Sequence, residues 1–198
     1  MEQNSIRYLC STQQFWNFPY AEHKIEMKKS EDPMSTLIIL RGNSGSGKSS
    51  VAKVLQRKIG RNTLMIPQDT IRRELLWAND GKDTTAVPLL IELLNYGNIH
   101  CEYTILEGIL NADWYKPLFE SAIEIFKDKI FAYYYDIPFE ETLKRHETKE
   151  KKIEFGETEM RRWWNEKDFI GIIPEKIFTE DVSLENAVEI IIRDVLNM

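Results

Sequence analysis

Residues 36 to 49 read Thr-Leu-Ile-Ile-Leu-Arg-Gly-Asn-Ser-Gly-Ser-Gly-Lys-Ser. The apolar start predicts a short buried strand, and the part from Gly42 to Ser49 is G-x-x-x-x-G-K-S. The glycines let backbone N–H groups turn inward around a polyphosphate, while Lys48 places a cation against its outer phosphates. The Ser49 hydroxyl suits a Mg²⁺ ion, and Ser49 begins a predicted helix that ends near Ile59. We therefore expect a nucleoside triphosphate such as ATP to bind at these residues: Gly42, Asn43, Ser44, Gly45, Ser46, Gly47, Lys48, Ser49 and Ser50.

The composition predicts one soluble domain. The chain has 198 residues, 42% of them apolar, which is enough for a single substantial core. Its apolar stretches are far shorter than the roughly 20 residues that cross a bilayer, and no secretory signal is apparent at the N-terminus. Cys10 and Cys101 define neither a metal site nor a disulfide framework. The net charge of −6 argues against general nucleic-acid binding, so we expect a cytoplasmic protein with no nucleic-acid or membrane partner.

The sequence divides into two predicted regions, an appendage and the domain that follows it. Residues 1–34 form an N-terminal appendage with an aromatic cluster at residues 15 to 20, which either packs on the body or forms a partner or dimer surface. Residues 35–198 alternate short apolar strands with helical patterns, so we expect an α/β fold with a parallel sheet and helices on both faces. The strands are predicted at 36–40, 63–66, 103–106, 130–135 and 176–179. The helices are predicted at 49–59, from 68, at 85–96, at 112–126, from 138, at 159–167 and after 183.

Two acidic residues follow predicted strands, at the edge of the sheet where ligands bind in such folds. Asp69 comes just after the second strand, where a carboxylate can take the proton from an attacking hydroxyl, or can instead cap the helix that follows. Glu107 ends the third strand, where it can hold Mg²⁺ or face water. Asp69 is therefore a candidate for the catalytic base and for acceptor binding, and Glu107 for metal and acceptor binding.

Several basic residues are candidates for holding transferred phosphate. Arg72 and Arg73 follow Asp69, and we expect only one of them to face the site, with Arg72 better placed.

The charged, glycine-containing segment 144–157 predicts a mobile lid at about residues 145–162, whose Arg145 and one of Arg161 and Arg162 would stabilise the transition state. An ordinary charged helix surface is the alternative, and we favour it for Lys151 and Lys152.

Of Trp163 and Trp164, one is expected to pack on the core and the other can line an acceptor pocket.

The sequence lacks the signatures of two other classes of nucleoside-triphosphate-binding protein. There is neither the Asn-Lys-x-Asp element that reads guanine nor the Leu-Ser-Gly-Gly signature of ABC-type ATPases. The remaining set of residues suits phosphoryl transfer from ATP.

The motifs together resemble those of small bacterial P-loop kinases. They are the phosphate loop, Gln-Asp-Thr-Ile-Arg at 68–72, Leu-Glu-Gly at 106–108, Pro-Phe-Glu-Glu-Thr-Leu-Lys-Arg-His at 138–146 and Glu-Phe-Gly-Glu-Thr-Glu-Met-Arg-Arg-Trp at 154–163. Over residues 36 to 195 the chain is similar to the zeta-toxin-like and chloramphenicol-phosphotransferase-like kinases, often grouped as AAA-type ATP-binding kinases with adenylate-kinase-like architecture.

The resemblance implies a five-stranded parallel core, MgATP as donor, Asp69 as base and a lid carrying Arg145 and Arg161 or Arg162. It also implies that adenine lies between Arg145 and the loop at Gly171–Pro174. Lys149 departs from the pattern, because relatives often have a second lid arginine there and lysine is a point charge rather than a fork.

The function predicted is an ATP-dependent kinase that phosphorylates a hydroxyl of a small molecule. Two alternatives stay open: a toxin-like kinase of a nucleotide sugar with a neutralising partner, and a non-catalytic ATP-sensing module.

Overall fold

A computed structural model describes residues 35–147 and 156–196. The predicted appendage at residues 1–34 and the lid residues Lys149, Lys151 and Lys152 lie outside the described residues. Among the described residues, no helix combines the length and the apolar character that crossing a membrane requires.

A parallel sheet of five strands carries the fold, and its strand order is β2-β3-β1-β4-β5. The strands are β1 (Thr36–Gly42), β2 (Thr63–Pro67), β3 (Tyr103–Gly108), β4 (Ile130–Tyr135) and β5 (Glu175–Phe178). The predicted five-stranded α/β architecture is confirmed. Because β1 is central, the loop that follows it lies in the middle of the edge formed by the carboxyl ends of the strands.

Helices cover both faces of this sheet. They are α1 (Lys48–Ile59), α2 (Gln68–Thr70) with a π-helical continuation (Ile71–Leu75), α3 (Ala86–His100), α4 (Lys116–Phe126), α5 (Phe139–Glu147), α6 (Glu157–Arg162) and α7 (Leu184–Leu196).

The central strand shows why helices are needed on both faces. Leu37 and Ile39 pack into one core with α3 and α4, while Ile38 and Leu40 pack into the other core with α1 and α7. All four side chains are fully buried. Successive strand residues point to opposite faces, so a continuous apolar run requires cover on both. Each such side chain stabilises the fold by about 1.5–3 kcal/mol.

Some predicted element boundaries were wrong. The helix expected at 112–126 begins at Lys116, because the Asn111 side chain accepts hydrogen bonds from the backbone N–H groups of Asp113 and Trp114 (both 3.1 Å) and holds a turn there. The helix expected at 159–167 is α6, which starts at Glu157 and ends at Arg162.

Candidate functional site

The loop between β1 and α1 has the backbone that its glycines predict. Gly42, Gly45 and Gly47 have φ angles of 137°, 80° and 104°, values that favour glycine. A Cβ atom added to Gly45 would lie 2.5 Å from the carbonyl oxygen of Thr142 in α5. The loop is therefore held closely against α5 as well as against the sheet.

Two side chains at the start of α1 face the phosphate loop and β3. Lys48 is buried, and its Nζ donates to the carbonyl oxygen of Asn43 (2.9 Å), so its cation lies against the loop. The Ser49 hydroxyl donates to Oε2 of Glu107 (2.8 Å). Glu107 is buried, so the alternative that it faces water is wrong. A hydroxyl and a carboxylate held together match the oxygen ligands that Mg²⁺ prefers, and these two residues fit that ion.

A cleft of about 620 Å³ opens beside the phosphate loop. Its walls come from the loop, from the segment after β2, from the segment after β3 and from the end of α6. The lining residues are Ser44, Asp69, Arg72, Arg73, Asn79, Asp80, Ile109, Asn111, Trp114, Arg162, Trp163 and Asn165. The fold thus brings Asp69 to one cavity with three of the arginines predicted from sequence, Arg72, Arg73 and Arg162.

Asp69 lies in the cleft wall as the second residue of α2. That helix is preceded by Pro67 and has no side-chain cap, so the capping alternative for Asp69 is wrong. Its carboxylate instead accepts a hydrogen bond from the Arg72 guanidinium (3.1 Å). Both Arg72 and Arg73 line the cleft, whereas only one was expected to do so. They lie in the π-helical segment, whose wider turn separates adjacent side chains by a smaller angle than an α-helix does.

Arg145 in α5 contacts the phosphate loop from the side opposite Asp69. Its guanidinium donates to the carbonyl oxygens of Ser46 (3.1 Å) and Glu180 (3.3 Å) and pairs with Glu141 (2.8 Å). The resemblance implies that adenine lies between Arg145 and the loop at Gly171–Pro174, but the Arg145 guanidinium contacts Glu180 instead of that loop. That loop enters the amino end of β5, whereas Glu180 follows its carboxyl end, where parallel sheets bind ligands.

The two neighbouring arginines predicted for a lid point in different directions at the end of α6. Arg162 lines the cleft, whereas the Arg161 guanidinium lies over the Phe139 ring (4.2 Å) and pairs with Glu157 (2.7 Å). The tryptophans divide as expected, because Trp163 lines the cleft and Trp164 packs edge-on against Phe139.

One pairing that sequence reasoning missed joins the phosphate loop to the cleft wall. The Asn43 side chain donates to the backbone carbonyl of Asn165 (2.7 Å) and accepts from its N–H (2.9 Å). Asn165 in turn accepts from the Asn111 amide (3.2 Å). Asn43 was expected only as a phosphate-loop residue, and the 122 residues between the partners leave no local signal for this pairing.

Arg41 is a second residue that sequence reasoning missed. It is fully buried, and its guanidinium contacts the Asp168 carboxylate (2.7 Å) and backbone carbonyl, the Glu175 carboxylate (3.2 Å) and the Leu110 carbonyl (2.8 Å). Burial raises the pKa of Glu175, and the charge of Arg41 opposes that rise. A charged residue inside an apolar strand was the available signal, because a buried arginine needs acidic partners. This network fixes the segment after α6, which carries Asn165, to the end of β1.

The order of the parallel strands and the loop between β1 and α1 define a P-loop fold, the class that binds nucleoside triphosphates. A family model described as "Zeta toxin" matches residues 20–83, a range that contains the loop and Asp69. No curated protein matches the sequence.

Solved structures of P-loop kinases are similar to this chain over most of its length. The APS kinase of Mycobacterium tuberculosis, solved with AMPPNP and APS, is 21% identical, with a TM-score of 0.58 over 84% of this chain and 99% of that chain. The Deinococcus radiodurans tunicamycin resistance protein is 16% identical, with a TM-score of 0.59 over 81% and 95%. Shikimate kinase from Acinetobacter baumannii, solved with shikimate, is 18% identical, with a TM-score of 0.53 over 83% and 95%. The predicted resemblance to small P-loop kinases is confirmed, and at these identities the structures show the fold.

Proposed function

We propose that this protein is an ATP-dependent kinase that transfers the γ-phosphoryl group of MgATP to a hydroxyl of a small molecule. The observation that carries the proposal is the shared cleft, lined by Ser44 of the phosphate loop and by the Asp69 carboxylate. A phosphoryl donor held by the loop and an acceptor held beside Asp69 would meet in this one cavity. Its volume of about 620 Å³ suits a small-molecule ligand.

The reaction forms a bond between the acceptor oxygen and the γ-phosphorus and breaks the bond from that phosphorus to the departing ADP oxygen. Loop amides and Lys48 hold the phosphates, and Asp69 accepts the proton that the hydroxyl loses. Ser49 and Glu107 would hold Mg²⁺, which neutralises charge on the β- and γ-oxygens when bound.

Arginines on two walls would stabilise the group in transfer. Arg72 contacts Asp69, and Arg162 enters the same cleft from the end of α6. Guanidinium groups suit this task, because their forked donors match the equatorial oxygens of a phosphoryl group. We assign the lid role to Arg162 rather than Arg161, whose guanidinium is engaged by Phe139 and Glu157.

Incubation with MgATP and a library of metabolites and antibiotics tests the proposal, with mass spectrometry to detect any compound that gains a phosphate. Lys48→Ala should abolish MgATP binding, and Asp69→Asn should lower phosphorylation of the acceptor by about 10²–10⁴-fold. Asp128→Asn is a matched control, because Asp128 is exposed and precedes the amino end of β4. Full transfer by Asp69→Asn would refute the role of Asp69, and tight MgATP binding without any phosphorylated product would favour an ATP-sensing module.

The match to the zeta-toxin family model favours one particular class of acceptor, a nucleotide sugar. Expression should then arrest growth, and Lys48→Ala should relieve the arrest. Normal growth with the wild-type protein, together with transfer to an unrelated metabolite, would exclude this candidate.

A further inference from the structure

A chain of polar side chains runs from the core below the cleft to Asp69. Tyr115 immediately precedes α4 and is fully buried, as is Gln68. The Gln68 amide donates to the Tyr115 hydroxyl (2.6 Å), and that hydroxyl donates to Oδ1 of Asp80 (2.7 Å). The chain thus connects the core to the loop that carries Asp80 in the cleft wall.

The direction of these hydrogen bonds is set by chemistry. An amide nitrogen can only donate, so the one hydrogen of Tyr115 is directed to the Asp80 carboxylate. Burial raises the pKa of Tyr115, and the hydrogen bond to Asp80 raises it further. The hydroxyl therefore stays protonated and remains a donor.

Asp80, held by the Tyr115 hydroxyl, also contacts the Arg72 guanidinium. Its Oδ2 lies 3.6 Å from Nε of Arg72, while another nitrogen of the same guanidinium donates to Asp69 (3.1 Å). The third nitrogen donates to the carbonyl oxygen of Ala78 (3.2 Å). Because the guanidinium is planar and rigid, a change in its contact with Asp80 also reorients its contact with Asp69.

We propose that Tyr115 is a positioning residue that acts through Asp80 and Arg72 to hold the Asp69 carboxylate in its reactive orientation. This inference depends on the proposed function. Asp80 is partly exposed, with 28% of its side chain accessible, and without the Tyr115 hydroxyl its Oδ1 would keep only the backbone N–H of Gly81 as a donor (3.1 Å), so the carboxylate would be free to turn toward water. The guanidinium would then lose one of its two carboxylate partners, and Asp69 would lose the fixed donor that orients it.

The chain offers a matched control for removal of this hydroxyl. Tyr133 in β4 is also buried, and its hydroxyl donates to an aspartate, Asp194 in α7, on the opposite face of the sheet. Tyr115→Phe and Tyr133→Phe each remove one hydrogen bond to an aspartate, and Tyr115→Phe also removes the acceptor of the buried Gln68 amide, so its urea midpoint should fall further. We expect Tyr115→Phe alone to lower kcat about tenfold, since small misplacements of reacting groups have large effects, while KM for ATP stays unchanged.

A double-mutant cycle separates positioning from a general structural effect. Asp80→Asn breaks the chain one step nearer Asp69. If Tyr115 acts through Asp80, Tyr115→Phe should not lower kcat further in the Asp80→Asn background. Multiplying effects, or equal kcat values for Tyr115→Phe and Tyr133→Phe, would overturn the inference.

The inference can fail separately from the proposed function. If the wild-type protein phosphorylates no acceptor, the proposed function fails, and crystal structures of the two variants decide the positioning role. An Asp69 carboxylate displaced in Tyr115→Phe but not in Tyr133→Phe supports it, and an unmoved carboxylate refutes it.

Discussion

Gly45→Ala should weaken MgATP binding by an amount that the structure allows us to divide into two causes. The first cause is the backbone, because Gly45 has φ of 80°, which an L side chain adopts at a cost of about 1–2 kcal/mol. The second is steric overlap, because the new Cβ would lie 2.5 Å from the carbonyl oxygen of Thr142. Real Cβ atoms essentially never approach another atom closer than 3.0 Å. The neighbour is backbone within α5, so the phosphate loop itself must move.

Gly60→Ala is the control that introduces backbone strain without steric overlap. Gly60 follows α1, has φ of 119° and has no atom within 4 Å of an added Cβ. Backbone strain should cost about 1–2 kcal/mol of unfolding free energy for Gly45→Ala and about 1–3 kcal/mol for Gly60→Ala, whose φ of 119° and ψ of −163° are essentially restricted to glycine. Overlap should add about 1–3 kcal/mol for Gly45→Ala. Because the loop amides move with Gly45, we expect its Kd for MgATP to rise at least about tenfold, which corresponds to 1.4 kcal/mol.

Isothermal titration calorimetry with a non-hydrolysable ATP analogue measures the Kd, and urea unfolding measures the stability of each variant. Equal Kd values for Gly45→Ala, Gly60→Ala and the wild-type protein would show that the amides of this loop do not bind the phosphates, and the placement of the nucleotide would be wrong.

Three further predictions concern the lid, the metal site and the buried network. Arg162→Gln should lower the rate of acceptor phosphorylation at least about tenfold, while Arg161→Gln should stay within about twofold; equal losses would contradict the assignment. Glu107→Gln should raise the Mg²⁺ concentration that gives half-maximal activity, and an unchanged Mg²⁺ titration would exclude Glu107 as a ligand. Arg41→Met should lower the unfolding free energy by about 3–5 kcal/mol near neutral pH, because it leaves the buried Glu175 carboxylate and the partly buried Asp168 carboxylate without this cation. Burial raises the pKa of Glu175 and Arg41 opposes that rise, so removal of Arg41 raises the pKa of Glu175 further. Protonation of Glu175 at lower pH should therefore reduce the loss of unfolding free energy. Urea unfolding at several pH values measures this, and a loss that does not change with pH would contradict the account.

The phosphate-loop half of the proposed site was predictable because it depends on local chemistry. The glycines and Lys48 define the loop by backbone freedom and charge, and the apolar run before them defines a strand buried on both faces. Asp69 and Glu107 were found because Asp69 follows β2 and Glu107 lies at the carboxyl end of β3, and parallel strands end at the same edge.

The acceptor half was predictable only in outline. Sequence spacing placed Arg161 and Arg162 near the site but did not distinguish them, since the choice depends on whether a guanidinium stacks on Phe139. The contact between Arg145 and Glu180 was not predictable for a similar reason, because it joins residues that are 35 positions apart in the sequence.

Chain connectivity and short-range backbone preferences therefore determined the architecture, the phosphate loop and the edge at which the acids lie, and all of these could be inferred from the amino-acid order. Tertiary structure alone decided which partners meet across that edge. Tyr115 reaches Asp80 across 35 residues, and Arg41 reaches Asp168 across 127. Neither pairing has a local signature, because the free energy that selects it arises only when burial removes the alternative of hydrogen bonding to water.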